Sequence, residues 1–69
     1  MNVVVCHSGY TYAERPTAFW WQGERLEINV IEADWRTPQG KGFRVCTHQG
    51  QSFELFYDER NDDWEITPV

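Results

Sequence analysis

Positive charge is scarce in this chain. Six Lys and Arg stand against eleven Asp and Glu among 69 residues, a formal charge of −5. A net negative field repels phosphate backbones, which disfavours sequence-independent binding to nucleic acid and leaves only a local basic patch to support it. Cysteine is equally sparse. Cys6 and Cys46 do not make the disulfide framework of a small secreted domain, so reduced thiols and a cytoplasmic location are expected. Long apolar runs are missing too. The N-terminal run Val3-Val4-Val5-Cys6 has no basic residue before it and falls short of the roughly 7–15 apolar residues of a signal peptide. No stretch approaches the roughly 20 residues of a membrane-spanning helix, so no membrane association is expected. Repeats, low-complexity segments and linkers are absent, and residues 1–69 read as one domain.

What the chain does have is aromatic residues: four Trp, three Tyr and four Phe. A domain of this size buries only roughly 60% of its unfolded surface. Each buried ring removes about 150–250 Å² from water, so the rings can supply a core that disulfides and metal do not. Their period is two. Leu26, Ile28 and Val30 alternate with Glu27 and Asn29; Phe43, Val45 and Thr47 alternate with Arg44, Cys46 and His48. Phe53, Leu55 and Tyr57 alternate with Glu54 and Asp58, and Trp64 and Ile66 with Glu65 and Thr67. Such alternation marks half-buried strands. Val3 and Val5 suggest a first strand and Thr17 to Trp21 a second. Turn signals fall at Gln22-Gly23, Gly40-Lys41-Gly42, Gln49-Gly50 and Glu59 to Asp62. The expectation is an all-β domain of five or six antiparallel strands, forming a small curled antiparallel sheet or an SH3-like barrel. Its core should hold Val3, Val5, Phe19, Leu26, Ile28, Val30, Phe43, Val45, Phe53, Leu55, Trp64 and Ile66. Residues 52–60 also fit helical spacing, with Ser52 as an N-cap, but Gly50 and the aromatic enrichment favour a strand.

Three constellations invite a chemical reading. Cys6-His7 with Cys46-Thr47-His48 has the ligand types of a zinc site, without its paired spacing. Neighbouring strand residues such as Cys6 and His7 point to opposite faces, whereas Cys46 and His48 share one. The same residues could form a thiol–imidazole pair, but catalysis also needs an orienting group and a pocket of about 300 Å³, and a small curled sheet offers little volume. The run Asp58-Glu59-Arg60-Asn61-Asp62-Asp63 lacks the ligand pattern of a calcium loop and reads as a solvated hairpin tip. No cofactor, metal or catalytic set is assigned.

The remaining candidate is a surface. Tyr10, Tyr12, Arg15, Trp20, Trp35 and Arg36 are aromatic and arginine types enriched at interfaces. With Phe19 and Trp21 on one face of their strand, Trp20 must occupy the other. Trp35 and Arg36 close the long Leu26 strand and could stack as a cation–π pair. The competing reading is that loops cover these rings and that they complete a thin core.

Finally, Tyr12-Ala13-Glu14-Arg15-Pro16-Thr17-Ala18-Phe19-Trp20-Trp21-Gln22-Gly23, with Val30-Ile31-Glu32-Ala33-Asp34-Trp35-Arg36, resembles a small bacterial domain of unknown function. Phe43-Arg44-Val45, Phe53-Glu54-Leu55 and Trp64-Glu65-Ile66 continue the likeness. That family occurs as free-standing proteins and appended to proteins related to Y-family (translesion) DNA polymerases. The resemblance implies a small β domain beside DNA-repair machinery and carries no catalytic residue. From the aromatic excess, the lack of a catalytic set and the acidic charge, the expected function is a non-enzymatic module that binds a protein partner, or a second copy of itself, through exposed aromatic and arginine side chains. The alternatives are a single-stranded nucleic-acid accessory, using Arg15, Arg36, Lys41 and Arg44 with stacking by Trp20 or Trp35, and a Cys/His metal or thiol site.

Overall fold

The computed structural model describes residues 3–6 and 15–69. Six strands follow one another: β1 (Val4–Cys6), β2 (Pro16–Trp21), β3 (Glu24–Thr37), β4 (Gly40–Thr47), β5 (Ser52–Asp58) and β6 (Asp63–Pro68). Each pairs antiparallel with its neighbour in sequence, in the order β1-β2-β3-β4-β5-β6, and the sheet curls into a half-barrel. The segment that fits both helix and strand spacing is strand β5.

The curl originates in β3, which changes partners partway along. Its Glu24 to Glu27 face Trp21 to Ala18 of β2, whereas Ile28 to Thr37 face Thr47 to Gly40 of β4. The register shifts between Ile28 and Val30 and again between Ile31 and Ala33. An extra residue at each bulge bends the strand and increases its twist. The sheet thereby folds over far enough for Phe19 of β2 to meet Phe53 of β5 edge-on, ring centres 5.0 Å apart, with Trp21 5.5 Å from the same ring.

The inner face follows from the register. Phe19 lies beside Leu26, Val45 beside Phe53, and Leu55 between Phe43 and Ile66. These seven residues are buried together with Tyr57, and Val4, Trp21, Ile28, Ile31 and Trp64 pack against them. Three expected core residues lie elsewhere. Val30 is 45% exposed because the bulge between Ile28 and Val30 moves it to the outer face, while Ile28 and Ile31, three apart, both reach the core. Val3 and Val5 are exposed because β1 is set one residue over: Val4, opposite Phe19, is the valine that turns inward. A one-residue change of register exchanges the two faces of a strand completely.

Two turns differ in their chemistry. Gln22 and Gly23, at φ 52° and 80°, make a two-residue connection with both residues left-handed, the geometry that matches strand twist. Gly40-Lys41-Gly42 is no turn; these residues begin β4, and the connection is Pro38-Gln39. There the hydroxyl of Thr37 accepts the N–H groups of Gln39 and Gly40, each at 3.2 Å. Gly40 is required by crowding, since a Cβ at that position would lie 1.8 Å from the carbonyl oxygen of Tyr57. Urea unfolding should therefore show Gly40→Ala losing about 2–3 kcal/mol, as overpacking of a tight site does. Gln22→Asn, which tolerates the left-handed region better, should gain about 0.5 kcal/mol. A Gly40→Ala variant as stable as the parent would refute the close approach of β4 to β5.

Candidate functional site

Trp20 stands on the outer face of β2, between Phe19 and Trp21, which turn inward. Its backbone N–H donates to the carbonyl of Val3 at 3.0 Å, setting those residues side by side, and Arg25 of β3 lies opposite on its other flank. The next row is Val5, Ala18 and Glu27. Val3, Trp20 and Val5 are 47%, 44% and 37% exposed, forming one apolar strip across two strands. The Arg25 guanidinium donates to the Glu27 carboxylate at 2.5 Å, giving that strip a charged border.

Trp35 and Arg36 do not stack on one another. Trp35, on the outer face, lies opposite Gly42, and a Cβ on that glycine would come within 2.3 Å of the indole. Gly42 is thus the gap across which the ring lies. Arg36 instead donates to Glu59 at 3.0 Å, tying the end of β3 to the loop after β5. The cation–π contact among the described residues is Lys41 over Phe43, 5.3 Å from the ring centre. Ten residues of β3 separate Trp35 from Arg25, the neighbour of Trp20, a strand path of about 33 Å. That path exceeds the molecule's longest dimension of 31 Å, so the strand bends along it. Trp20 thus stands beside the start of β3, and Trp35 stands near its end. Arg15 is exposed at the entry to β2, and Tyr10 and Tyr12 lie outside the described residues.

The basic residues expected to favour nucleic acid are largely engaged. Besides Arg36 and Lys41, Arg44 approaches Glu54 across the outer face at 3.8 Å. Exposed pairs of this kind contribute little stability, but each places a carboxylate beside the guanidinium that a phosphate would need.

Among the described residues no three His, Cys, Asp or Glu side chains gather to hold a metal. His7 lies outside those residues. Cys46 is on the outer face between Val30 and Ser52, and its thiol donates to the carbonyl of Thr47 at 3.6 Å. His48 lines an open groove of about 350 Å³ with Arg25, Leu26, Glu27, Thr47 and Gln49. That volume exceeds the expectation for so small a sheet, but Cys46 is not among the residues that line it. No helix among the described residues is long and apolar enough to cross a membrane.

The acidic tip has a structural use. Tyr57 donates its hydroxyl to Asp62 at 2.5 Å, and Asp62 holds the left-handed φ of 52° that closes the loop. The Asp58 carboxylate accepts the backbone N–H of Arg60 at 2.9 Å and the side-chain amide of Asn61 at 3.0 Å. The Arg60 hydrogen bond does most to hold the Asp58 carboxyl below its ordinary 3.8; slight desolvation opposes it, and Asn61 and the Arg60 charge reinforce it.

No family model, curated protein or solved structure matches this chain. The candidate surface thus rests on geometry alone, and of its residues sequence reasoning found Trp20 but not Val3, Val5 or Arg25. Val3 and Val5 were expected inside, since an uninterrupted Val-Val-Val run carries no alternation to show which valine turns inward.

A group whose carboxyl is held down in the folded state stabilises fully above its unfolded value and loses that contribution as pH falls through the folded one. Relative to Asp58→Asn, the parent should therefore be more stable at neutral pH, with the difference shrinking as pH drops below 3.8. Urea midpoints of both proteins across that range measure it. A difference independent of pH would show that the carboxylate does not hold the tip.

Proposed function

We propose that this protein is an interaction module, not an enzyme, and that it binds a protein partner through the outer face of β1 and β2. The observation that carries the reading is the exposure of Trp20 at 44%, bordered by Val3, Val5 and Arg25. A tryptophan left in water on a chain with so thin a core forgoes burial worth about 2–3 kcal/mol, judged from the cost of exposing large apolar side chains. Tryptophan and arginine at the centre of an apolar patch are also the side chains that dominate protein–protein binding energy. Arg15 lies at the entry to β2, at the opposite end of that strand from Trp20. Trp35 and Arg36 lie at the far end of β3.

In the setting that the family resemblance suggests, the partner is a protein of the DNA-repair machinery of a bacterial cytoplasm, contacted in place of the DNA itself. Supporting this are the charge of −5 and the carboxylates or ring already set against Arg36, Arg44 and Lys41.

Trp20→Ala removes the centre of the patch without touching the core, so its unfolding free energy should stay within about 0.5 kcal/mol of the parent. Affinity capture and sedimentation velocity compare the two proteins. Loss of the captured partner, or of self-association, is expected with Trp20→Ala; identical partners and identical mass for both would sink the assignment of this face.

A further inference from the structure

We infer that the distal half of β3, from Ile28 to Thr37, accepts an added strand: an extended, basic segment of a partner protein. The proposal goes beyond the Trp20 surface and stands on separate observations.

The first is the ladder itself. β2 pairs with β3 only as far as Glu27, opposite Ala18, and no other described strand flanks Ile28 to Thr37 on the side away from β4. Backbone N–H and C=O groups along such an edge form a template for another strand. The other two edges are poorer templates. β1 has three residues, and β6 has six and ends in Pro68, which has no N–H to donate. The bulges at Ile28/Val30 and Ile31/Ala33 break the spacing at the start of the β3 edge, so regular pairing is confined to Ala33 through Thr37.

The second observation is what stands on either side of that stretch. Ala33 and Trp35 point to the outer face, where Trp35 is 37% exposed; Val30, 45% exposed, extends the apolar side. Asp34 is on the opposite face and exposed, and Glu32 is exposed in the bulge. Arg36 does not offset them, because Glu59 already holds its guanidinium. An added strand of alternating character matches both sides, its apolar residues beside Ala33 and Trp35 and its Lys or Arg beside Asp34. Where β2 and β3 part, a shallow groove of about 280 Å³, lined by residues including Pro16, Ile28 and Ile31, leaves room for an apolar side chain at the end of that strand. A second copy of this chain is a poor occupant, since each copy carries −5 and would bring Glu32 and Asp34 towards their counterparts.

The test titrates the isotope-labelled full chain with a short synthetic peptide of alternating lysine and valine, following amide hydrogen exchange and chemical shifts. Binding should slow exchange within residues 28–37. It should weaken roughly tenfold when alternate peptide amides are N-methylated, which removes the ladder hydrogen bonds. Asp34→Lys should weaken it comparably, and a glutamate/valine peptide should not bind. Trp20→Ala should leave the peptide affinity unchanged, which separates this edge from the Trp20 surface. No binding at millimolar peptide, protection outside residues 28–37, or indifference to N-methylation would each overturn the proposal. A concentration-dependent dimer protecting the same amides would reassign the edge to self-association.

Discussion

The structure depends on β3 serving two ladders in succession. A sheet of six strands that kept one set of partners throughout would be a gently twisted plane, with one face of Phe19, Phe43, Val45, Phe53 and Leu55 open to water. Because β3 leaves β2 after Glu27 and takes up β4 from Ile28, the two parts of the sheet turn towards each other and their rings meet. The bulges are the local means of that turn. They also decide the orientation of everything beyond them, including the outward placement of Val30 and Trp35.

Charge follows the same division. Where the sheet closes, the side chains are apolar; where it opens, Arg25 pairs with Glu27 along β3, Arg44 with Glu54 across neighbouring strands, and Arg36 with Glu59 across to a loop. These pairs are exposed and add little stability. Their effect is on specificity, since they leave most of the net −5 unbalanced at the acidic tip and along distal β3. A chain so arranged presents two unlike surfaces: an apolar strip centred on Trp20, and an acidic strand edge ten residues away along β3.

Much of this was legible in the sequence, and the gaps have physical reasons. Alternation over Phe43 to Thr47, Phe53 to Tyr57 and Trp64 to Ile66 marked both the strands and their inner faces, because those strands run without register shifts against each other. Alternation failed for Val30, where a bulge inserts a residue that no side-chain pattern announces. It failed at Val3 and Val5 because three consecutive valines fit either face. The outward direction of Trp20 followed from its neighbours Phe19 and Trp21. The partner of Arg36 did not: Glu59 is distant in sequence, and only the docking of the Pro38-Gln39 connection against the end of β5, through the Glu59 N–H to the Gln39 carbonyl, brings them together. Gly40 and Gly42 misled as turn signals because both are selected by crowding, one against a carbonyl and the other against an indole.

The order of the strands has a consequence for how the molecule forms. Every ladder joins neighbours in sequence through short connections, with only the β1–β2 link longer, so each costs little loop-closure entropy and can zip from its own turn. The Phe19–Phe53 contact is different, because it spans residues 19 to 53 and forms only once β3 has bent. The hairpins therefore close over short loops, whereas the contact between these two rings closes a much longer one and carries the greater closure entropy. A change within any single turn acts on one hairpin, whereas a change at Phe19, Phe53 or the β3 bulges acts on the closure of the whole sheet.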